Sequence, residues 1–245
     1  MNAIITGATK GIGKAIALKL AKKGYNLAIC ARTKSDLIAL TDELQKHGIE
    51  VYSMVADCSV KEEVLAFCNF VRESLPNIDV LVNNAGIWKE GGISKMKLSA
   101  WEETLRTNLT STFIFTQQAV HFMKIKRYGK IINISSTAGQ RGEAHYSHYA
   151  ASKGGMISFT KSLASELGPF NINVNSIAPG WVLTDMSESV LSNKKSLDEE
   201  LKKIPIGRIA TADDIAGPVL FLASDMSRHI NGEVLNVNGG SVLVG

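Results

Sequence analysis

The sequence predicts an α/β fold class, a doubly wound parallel β-sheet of about seven strands with helices on both faces. Three observations carry that expectation. Short β-branched apolar runs alternate with longer amphipathic ones almost throughout, the pattern left when helices cross over between parallel strands. Most of the short runs are apolar on both sides of the pleat, as strands covered from two sides must be. The first run leads directly into a glycine-rich turn and then a helical pattern.

Strands are expected at residues 3–6, 26–31, 50–55, 79–82, 130–135, 171–177 and 233–237. Between the first two, residues 12–23 set Ile12, Ala15, Ile16, Leu18 and Leu20 on a buried stripe, and Gly24 supplies the stop. Residues 184–208 break the alternation just after Pro179-Gly180, being rich in Ser, Lys and Glu with few apolar anchors. That segment reads as an insertion suited to a substrate lid. With no internal repeat or low-complexity tract, residues 1–245 are expected to form a single domain.

Composition narrows the function classes. A chain of 245 residues, 45% of them hydrophobic, can bury a sizeable core. Its formal charge of +4 is mild and not gathered in one block, which argues against nucleic acid and leaves acidic small molecules open. Cys30, Cys58 and Cys68 are odd in number and form no C-x-x-C pair, against both a disulfide framework and a zinc ribbon. They suit a reducing compartment. Met1 to Thr6 leave no room for a secretion signal before the glycine turn, and no apolar run approaches a membrane span. A soluble, cytoplasmic protein with no membrane partner is expected.

Thr6-Gly7-Ala8-Thr9-Lys10-Gly11-Ile12-Gly13 lies where the first strand gives way to a helix, so backbone amides and the positive helix end can approach a pyrophosphate. We read it as the entry turn of a Rossmann-type nucleotide-binding domain, although its spacing is G-x-x-x-G-x-G. Such folds commonly keep an acid about 20 residues farther on for the adenosine ribose, whereas an Arg there accommodates a 2′-phosphate. Here Ala31 is followed by Arg32, 19 residues past Gly13, and Lys10 adds a cation inside the turn. Singly these would be solvated loop cations; together they point to NADP(H) over NAD(H). Of the next acids, Asp36 falls at a helix start where a carboxylate serves as a cap. Asp57 either reaches the adenine amino group or caps the helix that follows.

Tyr149-Ala150-Ala151-Ser152-Lys153 sets a phenol and an ammonium four residues apart, on one face of a helix. A tyrosine with a pKa near ~10 is a sluggish acid–base group at neutral pH, and a neighbouring cation favours its phenolate. Alone, Y-x-x-x-K is usually a packing tyrosine with a solvated lysine. In this chain it accompanies the glycine turn, Asn83-Asn84-Ala85-Gly86 after the fourth strand, Ser135-Ser136 after the fifth and Pro179-Gly180 after the sixth. Open α/β sheets hold their ligands at those strand ends.

With these motifs the chain resembles the short-chain dehydrogenase/reductase family in its compact single-domain branch, from Thr6 to Gly240. The resemblance implies that Tyr149 protonates a carbonyl oxygen as hydride arrives, while Lys153 holds the nicotinamide ribose and lowers the tyrosine pKa. It implies that Ser136, thirteen residues before the tyrosine, hydrogen-bonds the carbonyl, with Ser135 the alternative. Asn108, in Thr107-Asn108-Leu109, would anchor the water chain that replaces the proton. Cofactor contacts are implied at Gly7, Thr9, Lys10, Gly11, Ile12, Gly13, Arg32, Asp57 and Cys58. Others are implied at Asn83, Asn84, Ala85, Gly86, Tyr149, Lys153, Pro179, Gly180, Val182 and Thr184.

The phrases LVNNAGI, INISS and NVNGG are most similar to the 3-oxoacyl-acyl carrier protein reductases, which implies a 3-oxoacyl thioester substrate and an acidic carrier protein. Lys124, Lys126, Arg127 and Lys130 are expected to give that carrier a basic surface beside the cleft. Phe170 departs from the second basic docking position. A sugar, a steroid or a small ketone is the alternative substrate, and a non-catalytic NADP(H) sensor or scaffold the alternative class. His145 and His148 flank Tyr146, but no Cys or carboxylate cluster completes a metal site, so no metal is expected. Trp88 and Trp181 either line a substrate pocket or pack as core. The apolar, glycine-rich end at 231–245 is the expected edge of a homotetramer.

Overall fold

The computed structural model describes residues 1–244; Gly245, the last residue of the expected terminal edge, lies outside them. The strands are β1 (Asn2–Thr6), β2 (Asn26–Ala31), β3 (Val51–Val55), β4 (Val80–Asn83), β5 (Gly129–Ile134), β6 (Ile172–Pro179) and β7 (Val234–Val237). They form one sheet in the order β3-β2-β1-β4-β5-β6-β7, parallel throughout. The described residues also form ten α-helices: α1 (Gly11–Ala21), α2 (Lys34–Gln45), α3 (Lys61–Ser74), α4 (Leu98–Leu105), α5 (Ser111–Lys126), α6 (Thr137–Arg141), α7 (Ser147–Leu167), α8 (Glu188–Leu191), α9 (Lys194–Leu201) and α10 (Ala212–Ala223). Among the described residues, no helix is long and apolar enough to cross a membrane.

Alternation along each strand feeds two cores. Ile5, Ile29, Val82 and Ile132 point to the face covered by α1, α2 and α10, where Ile16, Leu20, Leu40 and Val219 pack. Their neighbours Ile4, Ala28, Leu81 and Ile131 point to the opposite face, against Phe67 of α3, Phe115 and Met123 of α5, and Leu167 of α7. Burial on both faces is why β1, β2 and β4 read as almost unbroken apolar runs. The chain builds outward from β1 to β3 and then returns to β4 on the other side of β1. A crevice opens at that reversal, above the C-terminal strand ends.

The expected strands are all present, with ends displaced by one or two residues. The largest difference is β6, which continues to Pro179 because Ser176–Pro179 pair with Val234–Val237. A proline is tolerated at the end of a strand, where its missing N–H breaks little of the ladder. Helix α1 stops at Ala21, two residues early. Its chain direction is then reversed at Gly24, in the left-handed region at φ +77°. The 184–208 segment has more apolar anchoring than its composition suggested. Leu191, Ile204 and Ile209 form a small cluster with Trp181, Leu197 and Leu201. Its end is fixed by Arg208, whose guanidinium donates to both Asp214 oxygens at 2.6 and 2.8 Å.

Candidate active site

A cavity of about 720 Å³ runs over the crevice, from the glycine turn to the 184–208 segment. Gly7 (φ +63°) and Gly11 (φ +49°) hold the turn in a conformation that L side chains rarely adopt. Gly13 serves closeness instead, since a Cβ there would strike the Gly7 carbonyl oxygen and lie 2.6 Å from Asn84 Nδ2. Asn84 ties the turn to the end of β4, donating to the carbonyls of Thr6 at 3.0 Å and Gly7 at 3.1 Å. Thr6 Oγ1 in return accepts the backbone N–H of Asn84 and of Ala85, at 3.0 and 2.9 Å. The turn therefore stands ready at the start of α1, with Thr9, Lys10 and Ile12 also bordering the cavity.

Arg32 lines the cavity just beyond β2, and among the described residues it forms no ion pair. Lys10 is less free, lying 3.6 Å from Asp36 and 3.8 Å from Asp185. This corrects the expected role of Asp36: Thr33 is the residue capping α2, and Asp36 sits inside its first turn as a partner of Lys10. Lys10 is largely exposed and Asp36 partly so, and the pair is weak. Asp57 borders the cavity beside Cys58 and uses one oxygen to accept the Ser59 N–H at 2.8 Å. The residue at the cap of α3 is Val60.

The chemical end is assembled by α6 and α7. Ser136 is the cap of α6 and accepts the Ala138 N–H at 3.1 Å. Its hydroxyl faces the Tyr149 phenol across the cavity wall and favours the ionised phenol. Ser135 is spent elsewhere, donating to the Ile177 carbonyl at 2.8 Å and accepting from Ser176 Oγ at 2.7 Å. One turn along α7 from the phenol, the buried Lys153 ammonium donates to the Ile134 carbonyl at 2.6 Å. Burial lowers Lys153 to about 8. Tyr149 is pushed up to about 12, chiefly by burial and further by the Glu143 charge, against the opposing influence of the Ser136 hydroxyl. Gly86 lies beside Lys153 and Asn108: a Cβ there would lie 3.5 Å from Lys153 Nζ and 3.3 Å from Asn108 Oδ1.

A family model described as enoyl-(acyl carrier protein) reductase matches residues 7–241. The chain belongs to the short-chain dehydrogenase/reductase family. It is 39% identical to the 3-oxoacyl-[acyl-carrier-protein] reductase FabG of Aquifex aeolicus, over 97% of this chain and 95% of that one. To FabG of Escherichia coli it is 38% identical, over 99% and 97%. Among solved structures, levodione reductase superposes with a TM-score of 0.93 at 30% identity, covering 98% of this chain and 96% of that one. A proposed NAD(P)-dependent gluconate 5-dehydrogenase from Beutenbergia cavernae, with NADP bound at low occupancy, gives 0.94 at 33% identity over 98% and 96%.

Within this short-chain dehydrogenase/reductase, the residues singled out in the sequence border one cavity, Pro179, Gly180, Val182 and Thr184 included. Two do not. Asn108 is fully buried in a π-helical turn at Arg106–Thr110, between α4 and α5. Its amide accepts the Ile87 N–H at 2.8 Å and donates to the Ile87 carbonyl at 3.0 Å and Ser152 Oγ at 3.1 Å. Its side chain thereby ties the loop after β4 to α7, while the adjacent Thr107 borders the cavity. Asn83 is likewise buried under the crevice, donating to Asn133 Oδ1 at 2.9 Å and Thr116 Oγ1 at 3.2 Å.

The expected basic docking surface is also displaced. Residues 124–130 lie at the N-terminal edge of the sheet, away from their own chain's cavity by roughly 20 Å, the length of β5. Lys126 pairs with Asp79, and the buried Lys130 donates to Asn173 at 2.7 Å. Lys124 and Arg127 stack on the Phe170 ring, 4.6 and 6.0 Å from its centroid. Neither His145 nor His148 borders the cavity. Trp88 and Trp181 both line it and also pack on one another. The sequence reading passed over Glu143, which enters the cavity from the loop between α6 and α7. A lone loop carboxylate carries no periodic or motif signal.

Proposed function

We propose that this chain is an NADP(H)-dependent carbonyl reductase acting on a 3-oxoacyl thioester. The observation that carries the reading is convergence: Ser136, Tyr149 and the buried Lys153 share one cavity with the glycine turn and Arg32. The tight turn, the cramped Gly13 and the unpaired guanidinium fit a phosphorylated dinucleotide. Gly7, Gly11 and the α1 amides would hold its pyrophosphate, Arg32 and Lys10 its 2′-phosphate, and Lys153 its nicotinamide ribose. NADPH, when bound, supplies the hydride.

The protein's own part is positioning and proton transfer. Ser136 and Tyr149 direct hydroxyl hydrogens to one carbonyl oxygen, polarising it and receiving its developing charge. Tyr149, fully protonated at neutral pH with a pKa near 12, is suited to donating its proton as the alkoxide forms. The phenolate left behind is stabilised by the Ser136 hydroxyl and the Lys153 ammonium. Asn108 is a positioning residue, fixing Ile87 and Ser152 on either side of the wall.

The substrate reading is supported by the similarity to FabG reductases, and with it acyl carrier protein is the proposed carrier of the thioester. That carrier would approach at the cavity mouth rather than at residues 124–130 of the same chain. We further propose one domain over 1–245, with 184–208 as the lid through Thr184, Asp185, Met186 and Lys203. A cytoplasmic site would keep its three free thiols reduced. A homotetramer would cover the β7 edge and the exposed Leu243. The Tyr149→Phe variant separates reductase from sensor. We expect it to bind NADPH like the wild type while kcat falls by about 10²–10⁴-fold. Undiminished turnover would reject the catalytic assignment.

A further inference from the structure

We infer that Trp88 and Trp181 wall off the acyl end of the cavity, so that the site selects short 3-oxoacyl groups and turns long ones away. The inference rests on the thioester reading above. Trp88 follows β4 and Trp181 follows β6, so the rings come from opposite walls; they meet edge to face, with centroids 5.7 Å apart at 87°. Both rings are held by neighbouring side chains. Trp88 is stacked on Tyr146 at 4.3 Å and 2°, and Tyr146 is the residue at the start of α7. Trp181 Nε1 donates to Glu200 Oε2 at 2.7 Å, and Glu200 is itself held by Lys203 at 2.7 Å.

Polarity points the same way. The Trp88 indole N–H reaches Glu143 Oε2 at 3.4 Å, which places a half-buried carboxylate beside the aromatic wall. An alkyl chain laid over that carboxylate would strip its remaining water without offering a hydrogen bond. Of the two arms on the reacting carbonyl, the thioester arm is tethered to its carrier and must leave by the open mouth. The acyl arm is left facing the wall. Selection then works by exclusion, through a built obstacle as well as a fitted pocket.

The test compares kcat/KM for NADPH-dependent reduction of the 3-oxobutanoyl and 3-oxodecanoyl thioesters of N-acetylcysteamine. The wild type is expected to favour the short substrate by at least about tenfold. Trp88→Ala and Trp181→Ala are expected to shrink that ratio by about tenfold, with NADPH binding, read by fluorescence, showing that the cofactor end is intact. Trp88→Leu and Trp181→Leu stand in if an alanine variant fails to fold. Equal use of both lengths by the wild type overturns the inference, as do NADPH-binding variants whose ratio stays fixed. A wild type that binds NADPH but reduces neither thioester overturns the thioester reading itself, and the length limit with it.

Discussion

Ser136 and Tyr149 face one another at the cavity wall, and the Ser136 hydroxyl is held by the Ala138 N–H at 3.1 Å. The serine is therefore aimed before any substrate arrives. Removing a preorganised donor of this kind costs about 10²–10³-fold in kcat. Ser136→Ala is expected to fall in that range with NADPH affinity unchanged, whereas Ser135→Ala, which breaks contacts between β5 and β6, should act mainly on stability. Steady-state kinetics beside denaturant melts of both variants check the split.

The buried Lys153, lowered to about 8, titrates before Tyr149, raised to about 12. Reductive kcat/KM of the free enzyme is expected to fall above pH 8 as the ammonium is lost, with no tyrosine contribution until far higher pH. The unfolded chain holds the lysine proton to about 10.5, so it binds more protons than the folded one between 8 and 10.5. Stability of the unliganded protein should therefore gain from this group as pH rises through that window. Denaturant midpoints of wild type and Lys153→Met, followed across it, should converge if the lysine is responsible; parallel curves would contradict the assignment.

Arg32 is the cofactor-selecting cation of this account. Losing a charge-assisted hydrogen bond costs about 1.5–3 kcal/mol, roughly 10–100-fold in affinity. Arg32→Ala is expected to raise the KM for NADPH by that factor and to change the KM for NADH little. Lys10→Ala should do less, because Asp36 and Asp185 already share its charge. Equal losses with both cofactors in the Arg32 variant would count against a 2′-phosphate contact.

Gly13 lacks space rather than backbone freedom. A methyl there meets the Gly7 carbonyl and the Asn84 amide, so Gly13→Ala must push the turn away from β4. Overpacking of this sort costs about 1–3 kcal/mol. A lowered denaturant midpoint together with weakened NADPH binding is expected; a fully stable variant with normal binding would show that the turn has slack.

The fold was legible because a parallel sheet buried on both faces writes strands as apolar runs, as in β1, β2 and β4. The site was legible because its ligand-facing residues cluster at strand ends, where glycines, Ser136 and the Tyr149–Lys153 pair stand out. Other features were not. Asn108 looks like a polar site residue in the sequence, and only the π-helical turn shows that its amide is spent on Ile87 and Ser152. The basic run at 124–130 gave no hint of which sheet edge it occupies or that Asp79, Asn173 and Phe170 absorb it. Charge can be counted along a chain, but its partners are set by tertiary contacts.

The most direct test follows NADPH and NADH consumption side by side, with 3-oxobutanoyl thioester as substrate and the 3-hydroxy product identified. Turnover with NADPH that exceeds turnover with NADH by at least about tenfold, the scale of one charge-assisted contact, is the predicted result. An enzyme that binds NADPH yet forms no 3-hydroxy thioester, or one that works equally well with NADH, would contradict the account.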